Sequence, residues 1–152
     1  MKLRDETPAK QRDEKVPFVE RETLTEASPE EVWEALTDED RLEEWMAPEV
    51  ELDPVEGGEI SVRDGDDHRT GTVETLEENE RFAFTWSRPG EGESFVEFTI
   101  EALPGGSRVT VVETPTSSAA TNSAAGSTAV AFGGWGPRLA RLRHISRLTL
   151  VA

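Results

Sequence analysis

The sequence predicts an α+β domain built on a curved antiparallel sheet of about six or seven strands. Segments in which apolar and polar residues alternate recur about every ten residues, separated by turns rich in Gly and Asp. Two short helical segments lie between the first and second strands, and an amphipathic segment ends the chain. Because the apolar face of such a sheet must be covered, we expect the C-terminal helix to lie across it.

The composition bounds the class of protein. The chain has 152 residues, which suits one domain, and no cysteine, which excludes disulfides, thiolate nucleophiles and cysteine-ligated metals. The lack of cysteine suits a reducing compartment, and no stretch approaches the ~20 apolar residues of a membrane span. We therefore expect a cytoplasmic protein with a mobile tail over residues 1–14 and a single domain over residues 15–152.

The formal charge of −16 is distributed unevenly along the chain. No Asp or Glu follows Glu113, so residues 114–152 carry +4 and the first 113 residues carry −20. A strongly acidic surface repels the phosphates of nucleic acids and anionic membranes, and we expect neither as a partner. The basic end of the chain is expected to pair with its acidic remainder.

The helical part begins within residues 28–48, SPEEVWEALTDEDRLEEWMAP. Ser28, Pro29 and Glu31 form the signature of a capping box with proline at the first helical position. A second helix follows at once and ends before Pro48, which cannot continue it. Each helix is too short to be stable alone in water, so we expect both to pack against the sheet.

The strands account for most of the chain. The first is predicted over residues 16–25, and six more follow the helices as an antiparallel meander. Residues 115–131, uncharged and rich in Ser, Ala and Thr, are predicted to be a flexible loop. A helix is predicted over residues 134–150, where Leu139 and Leu142 have helical spacing. The apolar face of the sheet is assigned to alternating residues: Val50, Leu52, Ile60, Val62, Val73, Thr75, Phe82, Phe84, Trp86, Val96, Phe98, Ile100, Val109 and Val111.

These segments resemble the SRPBCC, or START-like, superfamily. The resemblance rests on residues 26–60, EASPEEVWEALTDEDRLEEWMAPEVELDPVEGGEI, and on the later motifs RFAFTWS, PGGSRVTVVE and GGWG. The branch it resembles most is that of the bacterial proteins similar to the C-terminal domain of the heat-shock protein 90 ATPase activator. The resemblance implies a helix-grip fold, in which the sheet wraps around the C-terminal helix and leaves a hydrophobic cavity between them.

Such a cavity would be lined by side chains that project between the sheet and the last helix. The candidates are Trp45, Met46, Phe84, Trp86, Phe98, Glu113, Trp135, Leu139 and Leu142. Small-molecule sites are mostly apolar with few polar groups, which suits this set. The alternative is that the same side chains fill the core, which is the usual role of large apolar residues. Both interpretations stay open at this stage.

No set of residues is predicted to be catalytic or to bind a metal or cofactor. A serine nucleophile needs a positioned base, commonly histidine, and the chain has two histidines. His68 is predicted in a solvent-facing hairpin turn and His144 on the surface of the last helix. Glu113 continues the buried face of its strand, where we expect it to meet a ligand or an arginine of the last helix; an ion pair or an exposed strand end is favoured over a catalytic acid.

Three functions are compatible with these features. The first is a non-catalytic domain that binds an apolar or aromatic small molecule in the cavity. The second is an enzyme, since the superfamily resembled includes polyketide cyclases and related dehydratases, and Glu113 would be its acid or base. The third, suggested by the name of the branch, is a chaperone ATPase co-factor or other interaction module, with a chaperone or a second copy of the chain as partner. The first is favoured, because no acid-base constellation is visible.

We predict that Trp86→Ala lowers the free energy of unfolding by about 3–5 kcal/mol, because Trp86 projects from the predicted core face. Urea denaturation measures the change. His68→Ala is the control and should alter stability by no more than about 0.5 kcal/mol if His68 is only a turn residue. An unchanged midpoint for Trp86→Ala would show that the register assigned to this strand is wrong.

Overall fold

A seven-stranded antiparallel sheet forms the body of the protein. The computed structural model describes residues 18–116 and 129–151. The strands are, in chain order, β1 Val19–Thr25, β2 Glu49–Leu52, β3 Glu59–Asp64, β4 Asp67–Glu77, β5 Arg81–Ser87, β6 Glu93–Leu103 and β7 Gly106–Pro115. The helices within the described residues are α1 Pro29–Thr37, α2 Glu39–Trp45 and α3 Trp135–Val151.

The order of the strands across the sheet is β1-β7-β6-β5-β4-β3-β2. This is the predicted meander with β1 added beside β7. Two short helices lie between β1 and β2, and α3 packs against β1 and both of them, so the helix-grip prediction is confirmed. The predicted tail at 1–14, positions 16 and 17 of the first predicted strand, and positions 117–128 of the predicted loop lie outside the described residues.

The inner face of the sheet carries the alternating apolar residues that the sequence assigned to it. All of them except Thr75 are buried on that face. The assignment of Thr75 is wrong, because the register between β4 and β5 shifts at a bulge between Val73 and Thr75, which sets Thr75 opposite Ala83 and Leu76 opposite Phe82 on the core face. Such a bulge bends its strand and increases the local twist.

Gly71 lies in the same part of β4 and allows the backbone of β5 to approach closely. A Cβ atom at this position would lie only 1.7 Å from the carbonyl oxygen of Thr85 on β5. Any larger residue would therefore force the two strands apart.

The start of α1 confirms the capping signature. The Ser28 hydroxyl accepts a hydrogen bond from the Glu31 backbone N–H at 3.2 Å, and the Ser28 N–H donates to the Glu31 carboxylate at 2.9 Å. Asp38 then ends α1 and caps α2, where its carboxylate accepts from the Asp40 N–H at 3.1 Å. The two helices are thus separated by a single residue with extended backbone.

The second helix also protects an edge of the sheet. Strand β2 is an edge strand, and the outward backbone N–H groups of an edge strand are a template for pairing with another chain. The Val50 N–H donates to Glu43 at 3.1 Å and the Leu52 N–H donates to Glu39 at 2.8 Å, both on α2. Two carboxylates of a short helix therefore satisfy the backbone that would otherwise be exposed.

The C-terminal helix begins one residue later than predicted and ends one residue later. Leu139 and Leu142 are buried on its inner side, and Arg143 and His144 are exposed. Before the helix, Ala129 forms a parallel bridge with Gly92 and is buried. Within residues 18–116 and 129–151, no helix has both the length and the apolarity needed to cross a bilayer.

We expect Ser28→Ala to lower the free energy of unfolding by about 1 kcal/mol, because it removes the acceptor for the Glu31 N–H at the start of α1. Glu31→Gln is the matched control, since the glutamine carbonyl still accepts from the Ser28 N–H. Chemical denaturation of both variants measures the difference. Equal and negligible effects would mean that the capping box contributes nothing to α1.

Candidate functional site

Glu113 is the one buried carboxylate among the described residues, and it lies on the inner face of β7. It follows Val109 and Val111 along the same face of β7, and all three side chains are fully buried. A buried carboxylate is costly unless its oxygens are hydrogen-bonded and its charge is compensated. The surroundings of Glu113 meet both conditions.

The carboxylate of Glu113 accepts hydrogen bonds from four different segments. Its Oε2 atom accepts from Trp86 Nε1 on β5 at 3.0 Å and from Ser94 Oγ on β6 at 2.6 Å. Its Oε1 atom accepts from the Phe132 backbone N–H at 2.8 Å and from Trp135 Nε1 on α3 at 3.0 Å. An ionised carboxylate has about four acceptor positions. All of them are used by donors of this chain.

The positive charge beside this carboxylate is supplied by Arg69 of β4. Its Nη1 atom lies 3.6 Å from Glu113 Oε2, and the side chain is 1% exposed. The guanidinium also binds both Asp67 carboxylate oxygens, at 2.7 and 3.0 Å, and donates to the backbone carbonyls of Val130 at 2.6 Å and Ala131 at 3.2 Å. Arg69 thus connects the sheet to the segment that precedes α3.

A second buried arginine, Arg138 on α3, approaches the same segment from the other side. It donates to the backbone carbonyl of Met46 at 2.6 Å, to the carbonyl of Gly133 and to the carboxylate of Asp64. Burial lowers the pKa of Arg138 and Asp64 opposes that shift, but an arginine remains protonated in a folded protein. The pair with Asp64 joins the basic end of the chain to the acidic remainder, as the charge pattern predicted.

The hydrogen-bonded groups are embedded in aromatic rings that pack edge to face. Trp86 lies 5.0 Å from Phe84 and 5.0 Å from Phe132, measured between ring centroids. Trp135 lies 5.3 Å from Phe132 and 5.6 Å from Phe98. These separations are those of rings in direct contact. In this state of the protein, aromatic side chains of the chain itself occupy the space between sheet and α3.

The structure brings the nine predicted cavity residues together. Each is at most 2% exposed, and all except Glu113 belong to one continuous apolar cluster. The residues are Trp45, Met46, Phe84, Trp86, Phe98, Glu113, Trp135, Leu139 and Leu142. Their role as the lining of a ligand cavity stays a prediction.

One expectation about Glu113 is wrong in its detail. We expected a ligand or an arginine of the last helix beside it, but the neighbouring cation is Arg69 of β4. The sequence contained a signal for this, since Arg69, Gly71 and Val73 share one face at a spacing of two residues. Phe132 was missed as well, because it lies in a Ser-, Ala- and Gly-rich stretch whose composition indicates a loop.

The two histidines lie outside this site. His68 is the second residue of β4 instead of part of the turn, which is confined to the two residues between β3 and β4. It is half-buried, with its ring nitrogens 3.3 Å from Ser61 Oγ and 3.3 Å from Arg63 Nη2. His144 is exposed on α3, as predicted. Over the residues that the structure describes, no three His, Asp or Glu side chains are grouped as a metal site.

A surface groove of about 460 Å³ lies between α2 and α3. Trp45, Arg141 and Asp64, the partner of Arg138, are among the residues that line it. The Arg141 side chain bridges the two helices by donating from Nε to the Trp45 carbonyl at 3.2 Å.

We expect Glu113→Gln to lower the free energy of unfolding by about 3–5 kcal/mol, the cost of leaving buried donors without an acceptor. The glutamine NH₂ group would face two of the four donors, and Arg69 would keep Asp67 but lose the carboxylate that lies 3.6 Å from it. Glu101→Gln is the matched control, because Glu101 forms an exposed pair with Arg108 at 2.6 Å on neighbouring strands and should cost at most about 1 kcal/mol. Urea denaturation compares them, and equal losses would contradict a central role for Glu113.

Solved structures with the same architecture support the assignment of the fold. DynU16, from the dynemicin biosynthetic locus, is 25% identical with a TM-score of 0.68 over 86% of this chain, which spans 47% of DynU16. CalU16 from Micromonospora echinospora is 22% identical with a TM-score of 0.65, covering 87% of this chain and 77% of CalU16. MLL2253 from Mesorhizobium loti is 20% identical with a TM-score of 0.69, covering 86% of this chain and 97% of MLL2253.

Sequence comparison identifies the family. No curated protein shows significant similarity to the chain. Residues 26–147 match the family described as "Activator of Hsp90 ATPase homolog 1-like protein". This range begins just before α1 and ends within α3. The helix-grip fold and this match agree with the resemblance given by the sequence motifs. The chain therefore belongs to the activator of Hsp90 ATPase homolog 1-like family of SRPBCC proteins.

Proposed function

We propose that this domain binds a small, largely apolar or aromatic molecule between its sheet and α3, and that it does so without converting it chemically. The observation that carries the second half of the proposal is the hydrogen bonding of Glu113. A general base must reach a substrate proton at about 2.6–3.2 Å. Each acceptor position of this carboxylate already receives a donor of the chain, so catalysis by Glu113 would require one of these bonds to break.

The composition of the interior supports the first half of the proposal. Small-molecule sites are concave, mostly apolar and carry few polar groups. The inner face of the sheet is apolar with many aromatic residues, and the buried charged groups Glu113, Arg69 and Arg138 lie together around Phe132. A ligand between sheet and α3 would replace contacts among these rings with contacts between the rings and the ligand.

The enzyme alternative has one point in its favour. DynU16, which shares the fold and about a quarter of the aligned residues, comes from a biosynthetic locus. A cyclase or dehydratase that works mainly by shaping its substrate would need little acid-base chemistry. Turnover of a bound molecule would therefore separate this alternative from simple binding.

The chaperone co-factor alternative follows the description of the family. A protein partner, including a second copy of the chain, usually docks on a contiguous exposed apolar patch. Among the described residues the exposed large apolar side chains are Phe18, Leu24, Val55 and Val130, and they come from different parts of the chain apart from the two at β1. So few exposed apolar side chains favour a ligand inside the domain over a partner on its surface.

Native mass spectrometry of gently purified protein tests the proposal. We expect an adduct of a few hundred daltons that is lost on denaturation, or uptake of uncharged aromatic compounds of one to three rings by the empty chain. Val111→Phe, which adds a ring on the inner face of β7, should weaken uptake about tenfold by overpacking the interior.

The matched control is Val112→Phe, because Val112 is the next residue and points to the other face of the same strand. It should leave uptake unchanged. Circular dichroism checks that both variants fold. A bare chain that takes up no compound of the panel would contradict the proposed function and would favour the protein-interaction alternative.

A further inference from the structure

The segment before α3 is held in the interior by side chains of the domain body. We infer that residues 129–134, called the plug here, occupy the position of the ligand, with Phe132 standing where a ligand ring would bind. Ligand and Phe132 would then exclude one another. This inference rests on the proposed function, since it specifies where and how the proposed ligand binds.

The surroundings of Phe132 are those of a bound aromatic molecule. Its ring is 2% exposed and has two guanidinium groups over it, with the Arg69 Cζ atom 5.2 Å and the Arg138 Cζ atom 3.9 Å from the ring centroid. The rings of Trp86 and Trp135 pack against it in T-shaped contacts, with centroids at 5.0 and 5.3 Å. Cationic groups over a ring face and aromatic edges beside it are a general means of recognising aromatic ligands.

The backbone of the plug is held by side chains instead of by regular secondary structure. Apart from the bridge at Ala129, its polar groups bind three buried charged residues. Arg69 takes the carbonyls of residues 130 and 131, Arg138 takes the carbonyl of residue 133, and Glu113 takes the N–H of Phe132. The anchoring residues belong to β4, β7 and α3, so they would remain in place if the plug moved out.

These contacts define the chemistry of a replacement ligand. A displaced plug would take the acceptors from three N–H donors of the two arginines and would free one acceptor position on Glu113 Oε1, whose other donor is Trp135 Nε1. Buried polar groups without partners are costly, so the plug stays in place until an occupant supplies equivalent groups. The lost acceptors are uncharged carbonyls, and Asp67 and Asp64 already offset the two arginines. The matching ligand is therefore a flat, uncharged aromatic molecule with oxygen acceptors and a hydroxyl that can donate to Glu113.

The test uses 1-naphthol as the probe and naphthalene as a comparison compound without oxygen. Phe132→Ala removes the competing ring and leaves the backbone of the plug unchanged. A ligand that binds only when the plug is displaced has an apparent affinity equal to its intrinsic affinity multiplied by the fraction of protein in that open state. Because Phe132→Ala raises this fraction, 1-naphthol should bind the variant at least about tenfold more tightly than the unsubstituted chain. Isothermal titration measures both dissociation constants. If Phe132→Ala does not fold, Phe132→Leu takes its place.

Phe82→Ala is the matched control. Phe82 is a fully buried ring of the same cluster, but its neighbours are the rings of Trp33, Phe84 and Phe98 instead of arginines. The hole left by Phe82 should not favour 1-naphthol over naphthalene. Phe132→Ala should favour 1-naphthol, because displacing the weakened plug exposes the arginine N–H donors and an acceptor position of Glu113 to the ligand.

A second measurement uses the unsubstituted chain. At saturating 1-naphthol, the amide resonance of Phe132 should shift, because its hydrogen bond to Glu113 has been replaced. Equal binding by the unsubstituted chain and Phe132→Ala, with an unmoved Phe132 amide, would overturn the plug and leave the proposed function standing. Failure of every variant to bind either compound would overturn the inference that the plug occupies the ligand position. An adduct found by native mass spectrometry would then show that the proposed ligand binding still holds.

Discussion

The hydrogen bonding of the Glu113 carboxylate is the interaction on which the interior of this protein depends. One oxygen binds the sheet, through Trp86 and Ser94, and the other binds what covers the sheet, through Phe132 and Trp135. Removing a charge from water costs several kcal/mol, and charge-assisted hydrogen bonds with a nearby guanidinium offset that cost only when every oxygen is used. The position of this one side chain therefore fixes how β5 and β6, the segment that contains Phe132, and α3 are placed relative to one another.

The same constraint explains why two further charges are buried. A segment without regular structure cannot satisfy its own backbone groups, and in the interior no bulk water is available to do so. Arg69 and Arg138 bind the carbonyls of that segment, and each is matched by an aspartate at the rim, Asp67 and Asp64. An apolar core could have filled the same volume, but it could not have held these carbonyls. Polar groups here serve to position a segment that carries no secondary structure.

The sequence predicted what depends on local pattern. Alternation along the strands placed the apolar face correctly except beyond the bulge of β4, and the Ser28 capping box marked the start of α1, because both depend on residues a few positions apart. Glu113 was also identified, since it continues the alternation of β7. The partners of Glu113 were not, because Arg69 and Phe132 lie 44 and 19 positions away from it, and pairing at that distance is set by the curvature of the sheet rather than by spacing. The composition of residues 115–131 indicated a loop, although its last residues are bound by Arg69.

The central claim is that Glu113 joins a permanent part of the core to a segment that can leave it. Hydrogen exchange as a function of urea tests this directly in the unliganded protein, by following the Trp86 indole N–H and the Phe132 amide. The account predicts that the Trp86 indole exchanges only through global unfolding, with a strong dependence on urea. The Phe132 amide should exchange through a local opening of lower free energy that urea hardly changes. If both protons exchange only through global unfolding, the segment is a fixed part of the core and the account is contradicted.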